Sequence, residues 1–198
     1  MKLAAVLDQL SLEGSLLLRT EFLGQHASDV RLDQCRLDHI DLTGAELTRT
    51  LVQDSVIVAG SWANLRSEKV RIRRAEFDGV RMTGADLSSA VLEDVSFSDC
   101  RIDLGSFERA KLTRVRFRRC RLDEVDFSGA GLQSVVFTDC VLVKSLWAEA
   151  SLTRCEMRGS DISGAGNPEY LKGVRMPWPD VMASAGVWAA AAGVKIVD

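Results

Sequence analysis

Histidine is almost missing from this chain, and proline is missing from its first 167 residues. His26 and His39 are the only imidazoles, and the three prolines stand at 168, 177 and 179. Imidazole-based acid–base chemistry therefore has few carriers. His39 lies between Asp38 and Asp41, but a catalytic group of that kind needs a nucleophile in reach and a pocket that excludes water. None of the five cysteines stands at CxxC spacing from another, so no zinc site is indicated. Gly164-Ala165-Gly166 is a lone GxG without a strand-to-helix setting, which argues against a phosphate loop. Long apolar runs are absent too. LAAVL after Lys2 stops at Asp8 with no small-residue cleavage site, and Ala183 to Val194 is too short to span a bilayer. Nor does charge of one sign dominate. Lys and Arg number 25 against 28 Asp and Glu, and a net charge of −3 is too small to imply a nucleic-acid or membrane partner. The expectation is a cytoplasmic protein that is not an enzyme, with no cofactor, no metal and no small-molecule substrate.

What is present is a period. A large apolar residue recurs every five positions from Phe22 to Ile162, and only Ala27 and Ser67 break the series. Five is neither the 3.6 of a helix nor the 2.0 of an ordinary strand. Two residues before each large one stands a small one, such as Ala45, Ala75, Ala85, Ala90, Ala110, Ala130 and Ala150. Residues two apart on an extended chain share a side. Each unit of five thus points one small and one large side chain inward and three mostly polar ones outward. Short extended pieces that bend in one direction every five residues wind into a coil. Repeats that bury a face only by stacking make a solenoid.

The units AEFDG (75–79), ADLSS (85–89), AKLTR (110–114), VDFSG (125–129) and AGLQS (130–134) resemble the pentapeptide-repeat family, over roughly residues 12–166. The resemblance implies an all-β, right-handed, four-sided β-helix solenoid with about 20 residues per coil and a C-terminal capping helix. Residues 30–164 then hold 27 units, or about 6.75 coils and roughly 32 Å of rod. Residues 1–11 are expected to form an N-terminal cap, and 167–198 a C-terminal cap.

A twenty-residue coil arranges the remaining residues. Cys100, Cys120 and Cys140 stack in one inward column and Cys35 and Cys155 in the next, as small apolar filler suited to a reducing compartment. Asp38, His39 and Asp41 fall on different outward positions around a corner. The basic stretch Arg114, Arg116, Arg118, Arg119 and Arg121 surrounds an inward Phe117, which therefore has no base to stack on. Its arginines spread over three sides. Asp54–Arg74–Asp94–Arg114, Asp99–Arg119–Asp139 and Glu46–Arg66–Asp86 make columns of alternating sign, which read as ladders between coils.

At the C-terminus the period fails at Asn167-Pro168. Pro177-Trp178-Pro179-Asp180 starts a helix at about 179–192, with Val181, Met182, Ala185, Trp188, Ala189 and Ala192 on one apolar face. Gly193 ends it, and Val194 to Val197 reads as a short strand. The face built on Val181, Met182 and Trp188 suits either a lid on the last coil or a dimer contact. At the N-terminus, Leu3, Val6, Leu7 and Leu10 fit a helical turn, while Leu7, Leu12 and Leu17 fit the phase of five. Both readings stand.

Two functions follow. The first is a protein-binding or scaffold solenoid of unknown partner. The second comes from the resemblance: some members imitate DNA and protect DNA gyrase or a related topoisomerase from quinolones or toxins. Glu46, Asp86, Glu108 and Asp126 are the candidate acidic face for that role. The four sides over residues 30–164, however, carry net charges of +3, −1, −1 and −2, unlike a phosphate backbone. The first function has its own candidate in Val136, Val141, Val143 and Leu146. These are outward apolar residues forming a belt, covered either by the C-terminal segment or by a homodimer.

Overall fold

The chain is described by a computed structural model over residues 7–195. It winds as an all-β, parallel, four-sided β-helix of about seven coils. Every strand pairing joins residue i to residue i+20: Ser11 to Arg31, Arg71 to Val91, Val136 to Glu156. Isolated bridges such as Glu21–Asp41 and Ser106–Asp126 keep the same step on the other sides. The coil of twenty is therefore observed directly. The first side is centred on Leu32, Val52, Ile72, Leu92, Leu112 and Leu132. The second follows five residues later (Leu37 to Phe137), then the third (Leu42 to Leu142) and the fourth (Leu47 to Trp147).

The inward pairs form one continuous core. From Phe22 to Ile162 the large series is buried except at Ser67 and Leu152, which are partly exposed. Phe77, Phe97, Phe117 and Phe137 stack on the second side at centroid spacings of 4.8, 5.0 and 5.0 Å. Phe107, Phe127 and Trp147 stack on the fourth at 5.3 and 4.5 Å. The two columns meet edge to face, as Phe107 and Phe117 do at 6.1 Å. The coil rise imposes parallel stacking within a column, and the ring quadrupole favours the crossed contact between columns. The Trp147 indole N–H donates to Ser145 Oγ, and that hydroxyl donates to the Leu142 carbonyl, so the polar end of a buried ring is satisfied.

The bend comes from the last residue of each unit, which adopts the left-handed region: Asp54 at φ 49°, Arg74 at 46°, Asp94 at 55°, Arg114 at 54°. Within this scheme the sides differ. The first two are strand-like. The third closes each unit with a turn, in which the Ala45 N–H donates to the Leu42 carbonyl and the Ala85 N–H to that of Met82. The fourth side changes form partway along. His26–Ser28, Glu46–Thr48 and Arg66–Glu68 pair as a separate three-stranded sheet. From Asp86 onward the turn form takes over, with the Ala90 N–H donating to the Leu87 carbonyl. Asp41, Asp86, Asp126 and Asp161 each accept the N–H two residues on, which locks the turn locally. Gly60 marks a close approach, because a Cβ there would lie 2.3 Å from the Ile40 carbonyl oxygen.

At the N-terminal end the phase of five extends back to Leu7, which is buried, and Gln9 already takes the left-handed corner. Leu3 and Val6 lie outside the described residues. At the other end a short 3-10 turn, Pro168–Leu171, leads to two helices, α1 (Trp178–Ala183) and α2 (Ala185–Ala191). The single helix expected over 179–192 is thus broken at Ser184, at φ −99° and ψ 17°. Ser184 and Gly186 are weak helix formers. The break turns Val187 against the core in place of the expected face: Val187 is buried, Trp188 half-buried, and Met182 and Ala185 are exposed. Val194 and Lys195 form no strand, and the rest of the expected strand (Ile196, Val197) lies outside the described residues. Among the described residues no helix is long and apolar enough to cross a membrane.

Candidate interaction surface

The corners are where side chains organise the outside of the rod. Four times an arginine in the left-handed position reaches back one coil to the aspartate beneath it. The contacts are Arg49 to Asp29 at 2.6 and 2.8 Å, Arg74 to Asp54 at 2.5 and 2.6 Å, Arg114 to Asp94 at 2.6 and 2.8 Å, and Arg119 to Asp99 at 2.5 and 2.7 Å. Each guanidinium uses its Nε and Nη2 as a fork. That bond holds the Asp29, Asp54, Asp94 and Asp99 carboxyls below their ordinary pKa. The expected ladders are therefore pairs. Arg74 lies against Asp54 and not Asp94, and Arg119 against Asp99 and not Asp139. In the third column Arg66 approaches Glu46 at 3.7 Å while His26 binds that glutamate at 3.0 Å.

Most cations of the basic coil are engaged. Arg114 also reaches Glu93 at 2.8 Å, and Arg121 binds Asp123 at 2.6 Å. Among the described residues Arg116 and Arg118, on the second side, form no ion pair within contact distance. Directly across the ladder from Arg116 stands Val136, and from Arg121, Val141. The apolar belt thus lies one coil beyond the basic one. Val136, Val141 and Val143 are half-buried and Leu146 is 43% exposed. The belt turns two corners: Val136 is on the second side, Val141 and Val143 on the third, Leu146 on the fourth. A single flat partner surface reaches two adjacent sides, so Val141, Val143 and Leu146 form the patch that one contact would cover.

Among the described residues the C-terminal segment does not fold over this belt. It closes the end of the rod. The Met157 N–H donates to the Arg175 carbonyl and the Arg175 N–H to that of Cys155. Asp180 accepts the Gly159 N–H at 2.7 Å, where in earlier coils the next coil's carbonyl does so. Leu171 is buried beneath the cap. Of the candidate cap residues, Val181 and Trp188 are half-buried, and Met182 projects outward at 57% exposure.

The candidate acidic face does not form a stripe. Glu46, Arg66, Asp86, Ser106, Asp126 and Leu146 succeed one another along one column. Asp86 and Asp126 are turned to their local N–H groups, and Glu108 pairs with Arg109 at 3.1 Å. Asp38 and His39 occupy different outward positions at a corner, and they touch at 2.5 Å across it, both at the surface. The five cysteines are buried and free, in the two inward columns expected. Among the described residues no three His, Cys, Asp or Glu side chains gather as metal ligands.

Residues 63–127 match the family model described as a pentapeptide repeat region, and residues 130–165 match that of pentapeptide repeats in eight copies. No curated protein matches the chain by sequence. Among solved structures the fold is like that of HetL, a pentapeptide repeat protein involved in heterocyst differentiation regulation in the cyanobacterium Nostoc sp. strain PCC 7120. The identity is 17%, over 85% of this chain and 92% of that one, with a TM-score of 0.53. Weaker likenesses are to QnrB1, a plasmid-mediated fluoroquinolone resistance protein (18% identity, 96% and 98% coverage, TM-score 0.37), and to Rfr23 from the cyanobacterium Cyanothece 51142 (15%, 72% and 90%, 0.38). With a twenty-residue coil, five-residue units and two family models matching adjoining stretches, the chain belongs to the pentapeptide-repeat family.

Proposed function

We propose that this is a non-enzymatic, protein-binding solenoid whose contact surface is the corner carrying Val141, Val143 and Leu146. The observation that supports this reading is an exposed Leu146 contiguous with the outward, half-buried Val141 and Val143. The chain's own C-terminal segment caps the rod end and leaves Leu146 open. Contiguous outward apolar residues on a face that is otherwise polar mark a contact. The cations of the neighbouring coil, Arg116 and Arg118 above all, favour a partner that is acidic around an apolar centre. Buried free thiols support a reducing compartment such as the cytoplasm. DNA mimicry gains no support from the charge distribution, since basic residues interrupt every side.

The test compares the native chain with the double variant V141K/L146K. Light scattering asks first whether the partner is a second copy. A dimer lost in the variant at unchanged melting temperature supports a homodimer. If both are monomers, proteins retained from the source cell by the native chain and released by the variant support a different partner. An identical set of retained proteins and an identical mass overturn the reading.

A further inference from the structure

The most basic side of the rod meets the fourth side along an edge, and there the surface opens into a groove of about 500 Å³. Its walls are Arg49 and Lys69 from the corner column and Arg71 from the first side. Leu51 and Val91 are its apolar bed, with Val70 and Thr50 below. The notch exists because Ser89 is short, in a corner column where Arg49, Lys69 and Arg109 are long. The three cations differ in what already holds them. Arg49 is forked onto Asp29 and Lys69 lies 3.3 Å from Glu68. Arg71 forms no ion pair or side-chain hydrogen bond among the described residues, although Arg73 and Arg74 beside it both do. In the floor the Thr50 hydroxyl is buried and lacks a hydrogen-bond partner among the described residues. The ladder gives this edge the order Arg31, Leu51, Arg71, Val91, Lys111, so a free guanidinium stands between two apolar residues about 4.8 Å away on either side.

We propose that this groove is a binding site for a small amphiphilic oxyanion, a carboxylate or phosphate that carries a compact apolar group. The Arg71 fork takes the oxyanion in bidentate fashion, and Lys69 adds a second positive charge. The apolar group lies on Leu51 and Val91. The volume falls within the ordinary range for small-ligand sites, about 300–1,000 Å³. Arg71 is between three and four coils away from the Val141–Leu146 corner, and the site does not depend on it.

Amide NMR titration with four probes tests the assignment: benzoate, phenyl phosphate, inorganic phosphate and benzyl alcohol. Benzoate, phenyl phosphate or both should shift the amides of residues 49–51, 69–71 and 89–91 saturably, at least about tenfold more tightly than inorganic phosphate or benzyl alcohol. The better amphiphile identifies the head group. Arg71→Gln should weaken it about tenfold, equivalent to about 1.4 kcal/mol. Arg71→Lys should fall between, and Leu51→Asn should weaken the amphiphile but not inorganic phosphate. Melting temperatures of the variants show that the coil is intact. The assignment is overturned if inorganic phosphate binds as tightly as both amphiphiles, if no probe saturates at these amides, or if folded Arg71→Gln binds as the native chain does.

Discussion

Each unit asks one residue for a left-handed backbone, and the chain mostly meets that demand without glycine. Arginine and aspartate take many corners, at about 1 kcal/mol or more apiece in backbone strain. Their reward is the fork between successive corners, which is exposed and therefore weak and salt-sensitive. Leu104 has the strain with no fork: it sits at φ 58° with 61% of its surface exposed. Leu104→Gly should therefore stabilise the protein by about 1 kcal/mol, raising the melting temperature by about 2–4 °C. The inward thiols carry a different signature. The three stacked thiols titrate as one column. The interaction between Cys100 and Cys120 lowers Cys100 while it pushes Cys120 up to about 12, and Cys140, next to Cys120, is raised by it and by burial. Two of the three thus hold their protons more tightly than an unfolded thiol. An unfolded thiol ionises near pH 9, so below that pH both states hold the proton and stability does not change. Above it the unfolded chain loses protons that the native chain keeps, and stability falls as pH rises towards 12. Cys120→Val should reduce the loss of stability between pH 8 and pH 11 in urea titrations, and equal losses in the two proteins would refute the assignment.

The five-residue unit is also the element, and its buried half was readable from the spacing of large and small residues alone. A large and a small residue two apart can share only one side of an extended segment, so inward and outward followed without knowledge of the coil. The form of each side did not follow. Strand-like and turn-like units carry the same alternation, and the difference lies in a hydrogen bond between backbone groups three residues apart. The change on the fourth side shows what signal exists: long His26, Glu46 and Arg66 give way to short Asp86, Ser106 and Asp126, whose oxygens close the turn on the N–H two residues on. The aromatic columns are the strongest elements. Phe117 touches Phe97 and Phe137 at 5.0 Å each and is fully buried. Phe117→Ala should cost about 3–5 kcal/mol, measurable by denaturant unfolding, because rings held by coils above and below cannot collapse into the space.

At the scale of the molecule the ends and the outer charges were the hard part. The apolar belt was visible as misplaced valines, but which corner stays open depends on where residues 167–191 go, and a broken helix cannot be placed by periodicity. The Arg71 groove was invisible for a similar reason: it is a missing bulk at Ser89, seen only once corner residues are stacked twenty apart. The cap works through a few polar contacts. Asp180→Ala removes the acceptor for the Gly159 N–H and should lower stability by about 1 kcal/mol, read as a drop in melting temperature of about 2–4 °C. One detail of that cap has a wider meaning. Every pairing along the rod steps by twenty, but the last, Glu156 to Arg175, steps by nineteen. Seen as a polymer, the rod adds coils like monomers to a growing end, each new edge templating the next. The pairing that drops one residue puts the following stretch out of phase with that template. Arg175 is thus a chain terminator on the second side: it satisfies the growing end there and sets whatever follows one residue out of register with the coil beneath.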